Sequence, residues 1–179
     1  MSYITTVSGK HFDPVEPNEK LLDIKDIAHA LSLICRGNGH TKFFYSVAQH
    51  SIACAKEAEA RKYSPRIILG CLLHDGSEAY LSDVTRPVKQ HLGYYREVED
   101  RLQDLIWKHF LLTEATEEEK KQIFEVDDDM LSMEFHQLMA EDLGNRRNNL
   151  IRQFFCRYEE PAQVEKEFRE MYSKYVSMI

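Results

Sequence analysis

Apolar positions along this chain recur mostly three and four residues apart, the spacing that lines one face of an α-helix. Ile24, Ile27, Ala28, Leu31 and Ile34 keep that spacing, with Asp23 as N-cap and Asp26 in the capping-box position, until Gly37 and Gly39 stop it. After a polar turn at His40 to Lys42 and the run Phe43, Phe44, Tyr45, the hydroxyl of Ser46 caps a second helix through Ala60. Ser64-Pro65 opens a third, whose apolar run leads straight into His74-Asp75. Arg86-Pro87 breaks the chain again. A fourth helix is predicted over Tyr94 to Phe110, with Val98, Leu102, Leu105, Ile106 and Trp107 turned inward. Thr116 and the three glutamates behind it start a long fifth helix reaching Leu143, closed by Gly144-Asn145. Pro161 opens the last, with Val164, Phe168, Met171, Tyr172 and Tyr175 on one side.

The pattern predicts an all-α fold, a compact bundle of about six or more helices in one domain. Within it, residues 1–22 form an irregular N-terminal arm, an extended segment or short strand pair punctuated by Gly9, Pro14 and Pro17. Residues 23–144 form the helical core, and 160–179 add the C-terminal helix. At 179 residues the chain is long enough to bury a sizeable core.

Composition narrows the function. No run approaches the roughly 18 apolar residues of a membrane span. The N-terminus lacks a signal-peptide pattern, so a cytoplasmic protein with no membrane contact is expected. Cys35, Cys54, Cys71 and Cys156 lack CxxC spacing and read as reduced core thiols. A formal net charge of -7 argues against polymeric nucleic acid, while leaving room for a small anion wherever cations gather.

The chemistry concentrates after the third helix's apolar run, where His74, Asp75, Glu78 and Asp83 follow one another. Ionisable groups entering a core need a partner, and a metal ion supplies one. Imidazole with carboxylate suits a divalent transition metal: Mn, Fe, Co, Ni or Zn. Glu78 lies four residues after His74 and three after Asp75, so it shares their helical face. His50 lies within the second helix, in YSVAQHS. In FEVDDDMLSMEF, Asp127 shares the face of Leu131 and Glu134, whereas Asp128 and Asp129 turn away by about 100° and 200°, toward solvent. Taken singly, each has a bland reading: a solvated helix end, a packed histidine, an exposed acidic patch.

Together, His50, His74-Asp75 and Asp127 resemble the H…HD…D signature of the HD-domain metal-dependent phosphohydrolases. HDGSEAYLSDVTRPVK is similar to the segment of bacterial HD-domain 5′-deoxynucleotidases that carries Glu three residues after the HD pair, Asp five further on, then Pro and Lys. LSLICRGNGH resembles the helix end where those enzymes place a phosphate-binding arginine, here Arg36. DIAHALSLICR…FYSVAQHS also resembles compact HD phosphohydrolases of bacteria and phages, a group that includes a dATP triphosphohydrolase. The likeness runs from Thr6 to Glu134.

This resemblance implies one divalent transition metal on His50, His74, Asp75 and Asp127, a nucleotide as small-molecule substrate, and a homo-oligomer. It further implies that Asp83 activates water while Glu78 orients the site; the residues alone leave those two roles open. Arg36 and Lys89 offer charge to phosphate, with Arg86 and Lys42 as further candidates. One departure stands out: Gly37 occupies the place of a tryptophan, and Phe43, Phe44 or Tyr80 are candidates to replace its contact.

The remaining histidines carry less. His29 is a packing or supporting residue and His40 a candidate substrate contact, while His11, His91, His109 and His136 follow no pattern. Phe124, Phe135, Phe154 and Phe155 read as core or subunit interface. Phosphomonoester hydrolysis of the 5′-nucleotidase type is the leading expectation, dNTP triphosphohydrolysis the alternative. A nucleotide-sensing module would be expected to lack a ligand or the Glu78/Asp83 pair, and a structural metal site to be closed by four strong ligands.

Overall fold

The computed structural model describes residues 3–139 and 149–179. Among these, eight helices and one two-stranded hairpin form the all-α architecture expected. The arm holds the hairpin, β1 (Ile4–Thr5) antiparallel to β2 (His11–Phe12). Then follow α1 (Ile24–Leu33), α2 (Val47–Ala60), α3 (Pro65–Leu72), two one-turn helices α4 (Glu78–Leu81) and α5 (Arg86–Lys89), α6 (Gly93–Phe110), α7 (Glu117–Leu138) and α8 (Pro161–Val176). The predicted stop at Gly144-Asn145 lies outside the described residues; α7 ends at Leu138 with Met139 already extended.

Capping explains where the long elements begin. Ser46 and Gln49 close a reciprocal capping box on α2, and Thr116 with Glu119 does the same on α7. Ser64 caps α3, with Pro65 in the first turn. Asp23 caps α1 through the Lys25 amide, but Asp26 does not complete a capping box. Its buried carboxylate instead accepts from the Ser8 amide at 2.9 Å and the Ser8 hydroxyl at 2.8 Å, tying the arm to α1. Phe12 of the arm, fully buried, stacks on Tyr80 of α4 at 4.1 Å between ring centroids. The arm thereby steadies the short helix that carries Glu78. Hydrogen bonds to a charged group are worth about 1.5–3 kcal/mol, so Asp26→Ala is expected to destabilise the fold by about 2–3 kcal/mol. A lowered urea midpoint at unchanged m-value is the readout; an unmoved midpoint would show that the Ser8–Asp26 contacts contribute nothing.

Helix α3 sits at the centre, packed against α2, α7 and α8. At Gly70 a Cβ would stand 2.5 Å from Ile123 Cδ1, so the missing side chain lets α3 and α7 approach closely. The C-terminal helix belongs to the same core: Val164, Phe168 and Tyr175 are buried, and α8 lies across α1 and α3.

The sequence expectation fails locally after Leu72. The helix stops there, and residues 73–77 form successive turns, so His74, Asp75 and Glu78 do not share one helix. The cause is visible in the hydrogen bonds. The Cys71 carbonyl, which a continuing helix would offer to the Asp75 amide, instead accepts from His74 Nδ1 at 2.7 Å. The region beyond, predicted only as a break at Arg86-Pro87, contains α4 and α5.

Candidate metal centre

Four segments bring ionisable side chains together: α2 through His50, the turn after α3 through His74 and Asp75, α7 through Asp127, and the turn after α1 through Arg36. His50 Nε2 lies 3.2 Å from His74 Nε2 and 3.0 Å from Asp127 Oδ1. Asp75 straddles the two rings, Oδ1 at 3.3 Å from His74 Nε2 and Oδ2 at 3.8 Å from His50 Nε2. Asp127 Oδ1 is also 3.6 Å from His74 Nε2. Both Nδ1 atoms are engaged elsewhere: that of His74 donates to Cys71, and that of His50 donates to Glu134 at 2.9 Å. Each ring therefore turns its Nε2 toward the centre.

Cys54, one helical turn after His50, lies close enough to belong to a possible His50–Cys54–His74–Asp127 ligand group. Its Sγ is 3.5 Å from His50 Nε2 and 4.0 Å from Nδ1, so the sulfur stands over the ring face rather than along the Nε2 lone pair. Burial pushes the thiol up to about 11. Asp75, which faces both Nε2 atoms with an oxygen each, completes the donor set better than this protonated thiol.

The electrostatics favour a cation. Burial pulls the His50 and His74 imidazolium ions down, yet the surrounding carboxylates win and raise both above the ordinary histidine value. Burial likewise opposes ionised Asp127, but its contacts with His50 and His74 hold its carboxylate well below the usual range. Carboxylates close enough to outweigh burial at two touching imidazoles give the centre a negative potential suited to a cation.

A cavity of about 390 Å³ opens beside the cluster. Glu78 faces it, buried, with Oε2 lacking any hydrogen-bond partner. Burial, then the nearby Asp75 and Asp83, push its carboxyl well above the usual glutamate range. Asp83 also lines the cavity and accepts from the Gly37 amide at 3.1 Å. Gly37 has φ 58°, a left-handed conformation that disfavours a side chain, and a Cβ there would meet Met139 Cε at 3.0 Å. The aromatic residues on the cavity wall are Phe124 and Phe135 of α7, which the sequence placed in core or interface. Neither Phe43 nor Phe44 lines it, and Tyr80 is occupied with Phe12.

The candidate phosphate contacts separate clearly. Arg36 reaches inward, Nη1 3.3 Å from Asp75 and Nε 3.4 Å from Glu134. Lys89 lines the cavity with Nζ on Glu99 at 2.7 Å. Arg86, more than half exposed at the mouth, lies 3.4 Å from Asp127 and 3.1 Å from Asp128. Lys42 is not at the cavity: its amide donates to the Leu138 carbonyl and its Nζ to that of Gln137, satisfying the end of α7. His40 is exposed and absent from the lining, and His29 pairs with Glu165 of α8 at 2.9 Å. Asp129 does not face solvent; it binds Arg61 at 2.7 Å. Glu134 is the residue that sequence reasoning passed over as a mere marker of the Asp127 face.

A larger open cleft, about 680 Å³, lies between the arm and α6. Its cations are already engaged, Arg101 with the Val15 carbonyl, Lys108 with Glu114 and Lys120 with Asp104. It holds none of the cluster. No helix among the described residues is long and apolar enough to cross a membrane.

The sequence matches no protein-family model. It is 40% identical over 106 residues to the uncharacterized protein YfdR of Escherichia coli, a stretch covering 59% of this chain and 57% of that protein. It is also 40% identical over 102 residues to an uncharacterized protein of Rhodobacter capsulatus, covering 54% of this chain and 52% of the relative. The chain thus spans about half the length of the curated relatives it matches, and neither relative's name specifies an activity.

Proposed function

We propose that this chain is a metal-dependent phosphohydrolase of the HD-domain type, acting on (deoxy)nucleotides as a phosphomonoesterase. The observation that carries the reading is the convergence of two Nε2 atoms and two carboxylates within 3.0–3.8 Å contacts beside a cavity that also holds Glu78 and Arg36. Two imidazoles and two carboxylates fit a divalent transition metal such as Mn, Fe, Co, Ni or Zn, held by His50, His74, Asp75 and Asp127. When bound, such an ion supplies Lewis-acid charge and lowers the pKa of water.

The other roles belong to the chain. Arg36 presents a planar fork to phosphate oxygens, and Lys89 adds a point charge. Glu78, whose protonated form is favoured by burial and by Asp75 and Asp83, is suited to donate a proton to the leaving oxygen. Asp83, fixed by the Gly37 amide, is suited to orient or deprotonate the attacking water. Leu131, Phe135, Leu138 and Met139 give the organic part of the substrate an apolar wall.

Charge favours one phosphate over three. Besides Glu78, whose ionised form burial disfavours, Arg36, Arg86 and Lys89 face six carboxylates in or beside the cavity: Asp75, Asp83, Glu99, Asp100, Asp127 and Glu134. A triphosphate tail would meet that surplus of negative charge with only the exposed Arg86 as an added cation, since Lys42 is elsewhere. The four unpaired cysteines fit a cytosolic setting.

A turnover panel with added Mn²⁺ or Co²⁺ tests the reading, using deoxynucleoside mono-, di- and triphosphates and resolving products by ion exchange. Inorganic phosphate from monophosphates is expected. Intact triphosphate released from dNTPs would establish the triphosphohydrolase instead, and no product from metal-loaded protein would point to a sensor. Arg36→Ala is expected to raise KM for the monophosphate about 10–100-fold, the worth of one or two charged hydrogen bonds. A KM within twofold of wild type would remove Arg36 from phosphate binding.

A further inference from the structure

We infer that Glu134 is the positioning residue of the centre, one buried carboxylate that orients both a metal ligand and the phosphate-binding arginine. The inference rests on the metal-dependent reading above. Glu134 is 2% exposed and lies two helical turns beyond Asp127 on α7. Its Oε1 and Oε2 stand 2.9 and 3.0 Å from His50 Nδ1, and Oε2 lies 3.4 Å from Arg36 Nε. The two histidines thus share a tautomer but not an acceptor: His74 has a neutral carbonyl behind it, His50 a carboxylate. An anionic acceptor strengthens the imidazole as a donor to a cation. The same carboxylate restrains Arg36, whose other arm lies on Asp75.

Glutamine at this position keeps the shape but offers one acceptor oxygen in place of two. If that oxygen accepts from His50, its amide N–H group faces the Arg36 fork, and two donors confront each other. Glu134→Gln therefore acts on two separate quantities.

The test is calorimetric titration of the purified protein with Co²⁺, without substrate, followed by titration of the cobalt-loaded protein with inorganic phosphate. Glu134→Gln is expected to weaken Co²⁺ binding about 10–100-fold, to shift the visible Co²⁺ spectrum, and to weaken phosphate binding further in the loaded form. Circular dichroism checks helicity. Should Glu134→Gln not fold, Glu134→Asp, which keeps the charge one methylene back, is titrated in its place and is expected to fall between wild type and the larger loss. A folded variant with wild-type Co²⁺ affinity and spectrum would overturn the inference. Wild-type protein that binds Co²⁺ but hydrolyses no phosphate ester would sink the proposed reaction while leaving Glu134's role standing; a wild type binding no Co²⁺ would end both.

Discussion

Asp127→Ala is expected to abolish metal binding and to cut turnover by on the order of 10³-fold or more, because a bound cation contributes several kcal/mol of charge stabilisation. The expectation follows from where the carboxylate sits. Asp127 Oδ1 contacts Nε2 of both histidines, at 3.0 and 3.6 Å, whereas the Asp75 oxygen stands 3.8 Å from His50 Nε2. Alanine is a good helix former, so α7 should persist and circular dichroism should change little. Calorimetry with Mn²⁺ or Co²⁺ reads the loss directly. Asp128→Ala provides the contrast: its side chain is 64% exposed and, among the described residues, reaches the mouth residue Arg86. Activity within twofold of wild type is expected there. An inactive Asp128 variant beside an active Asp127 variant would reverse the assignment.

The second large effect concerns Glu78. Glu78→Gln should retain the metal, since no ligand is altered, and lose about 10²–10⁴-fold in turnover, the usual contribution of a general acid or base. Unchanged turnover would remove it from the mechanism. The same variant should alter stability in a direction set by the raised carboxyl. Below the ordinary glutamate range, folded and unfolded chains both hold the proton. Above it the unfolded chain ionises first, so the wild type must take up a proton on folding, at about 1.36 kcal/mol per pH unit, until the folded group itself ionises. Glutamine has no such requirement. The variant should therefore gain on the wild type as pH rises above the ordinary glutamate range, in urea melts with chelator present. A stability difference that stays constant with pH would show that Glu78 is not held protonated in the folded chain.

Much of the fold was legible because its signals are local. Ser46, Ser64 and Thr116 announce their helices through caps that need only the next three residues. The four converging positions were legible for another reason: singly each had a bland reading, and only the resemblance of their pattern to the H…HD…D signature tied them together. What stayed hidden depends on competition between distant or alternative partners. The stop at Leu72 comes from His74 taking the Cys71 carbonyl, a choice that periodicity does not express. Lys42 looked like a phosphate contact because its charge is visible in the sequence, while the open carbonyls of Gln137 and Leu138 are not. Glu134 was hidden by the same logic: its clients lie 84 residues away at His50 and further still at Arg36. The absence of an aromatic side chain at Gly37 was plain, but the place of Phe124 and Phe135 on the cavity wall required α7 to be in position.

The spacing of the donors along the chain bears on how the protein comes into being. His50 and His74 are 24 residues apart, and Asp127 follows His50 by 77. During synthesis the first two can meet once α2 and α3 have paired, but the site gains its last carboxylate only when α7 has emerged and docked on α3. Closing so long a loop is entropically unfavourable until the docked surface offsets it. The centre therefore registers the docking of α7 rather than helix formation, and a chain stalled before α7 holds three of the four donors.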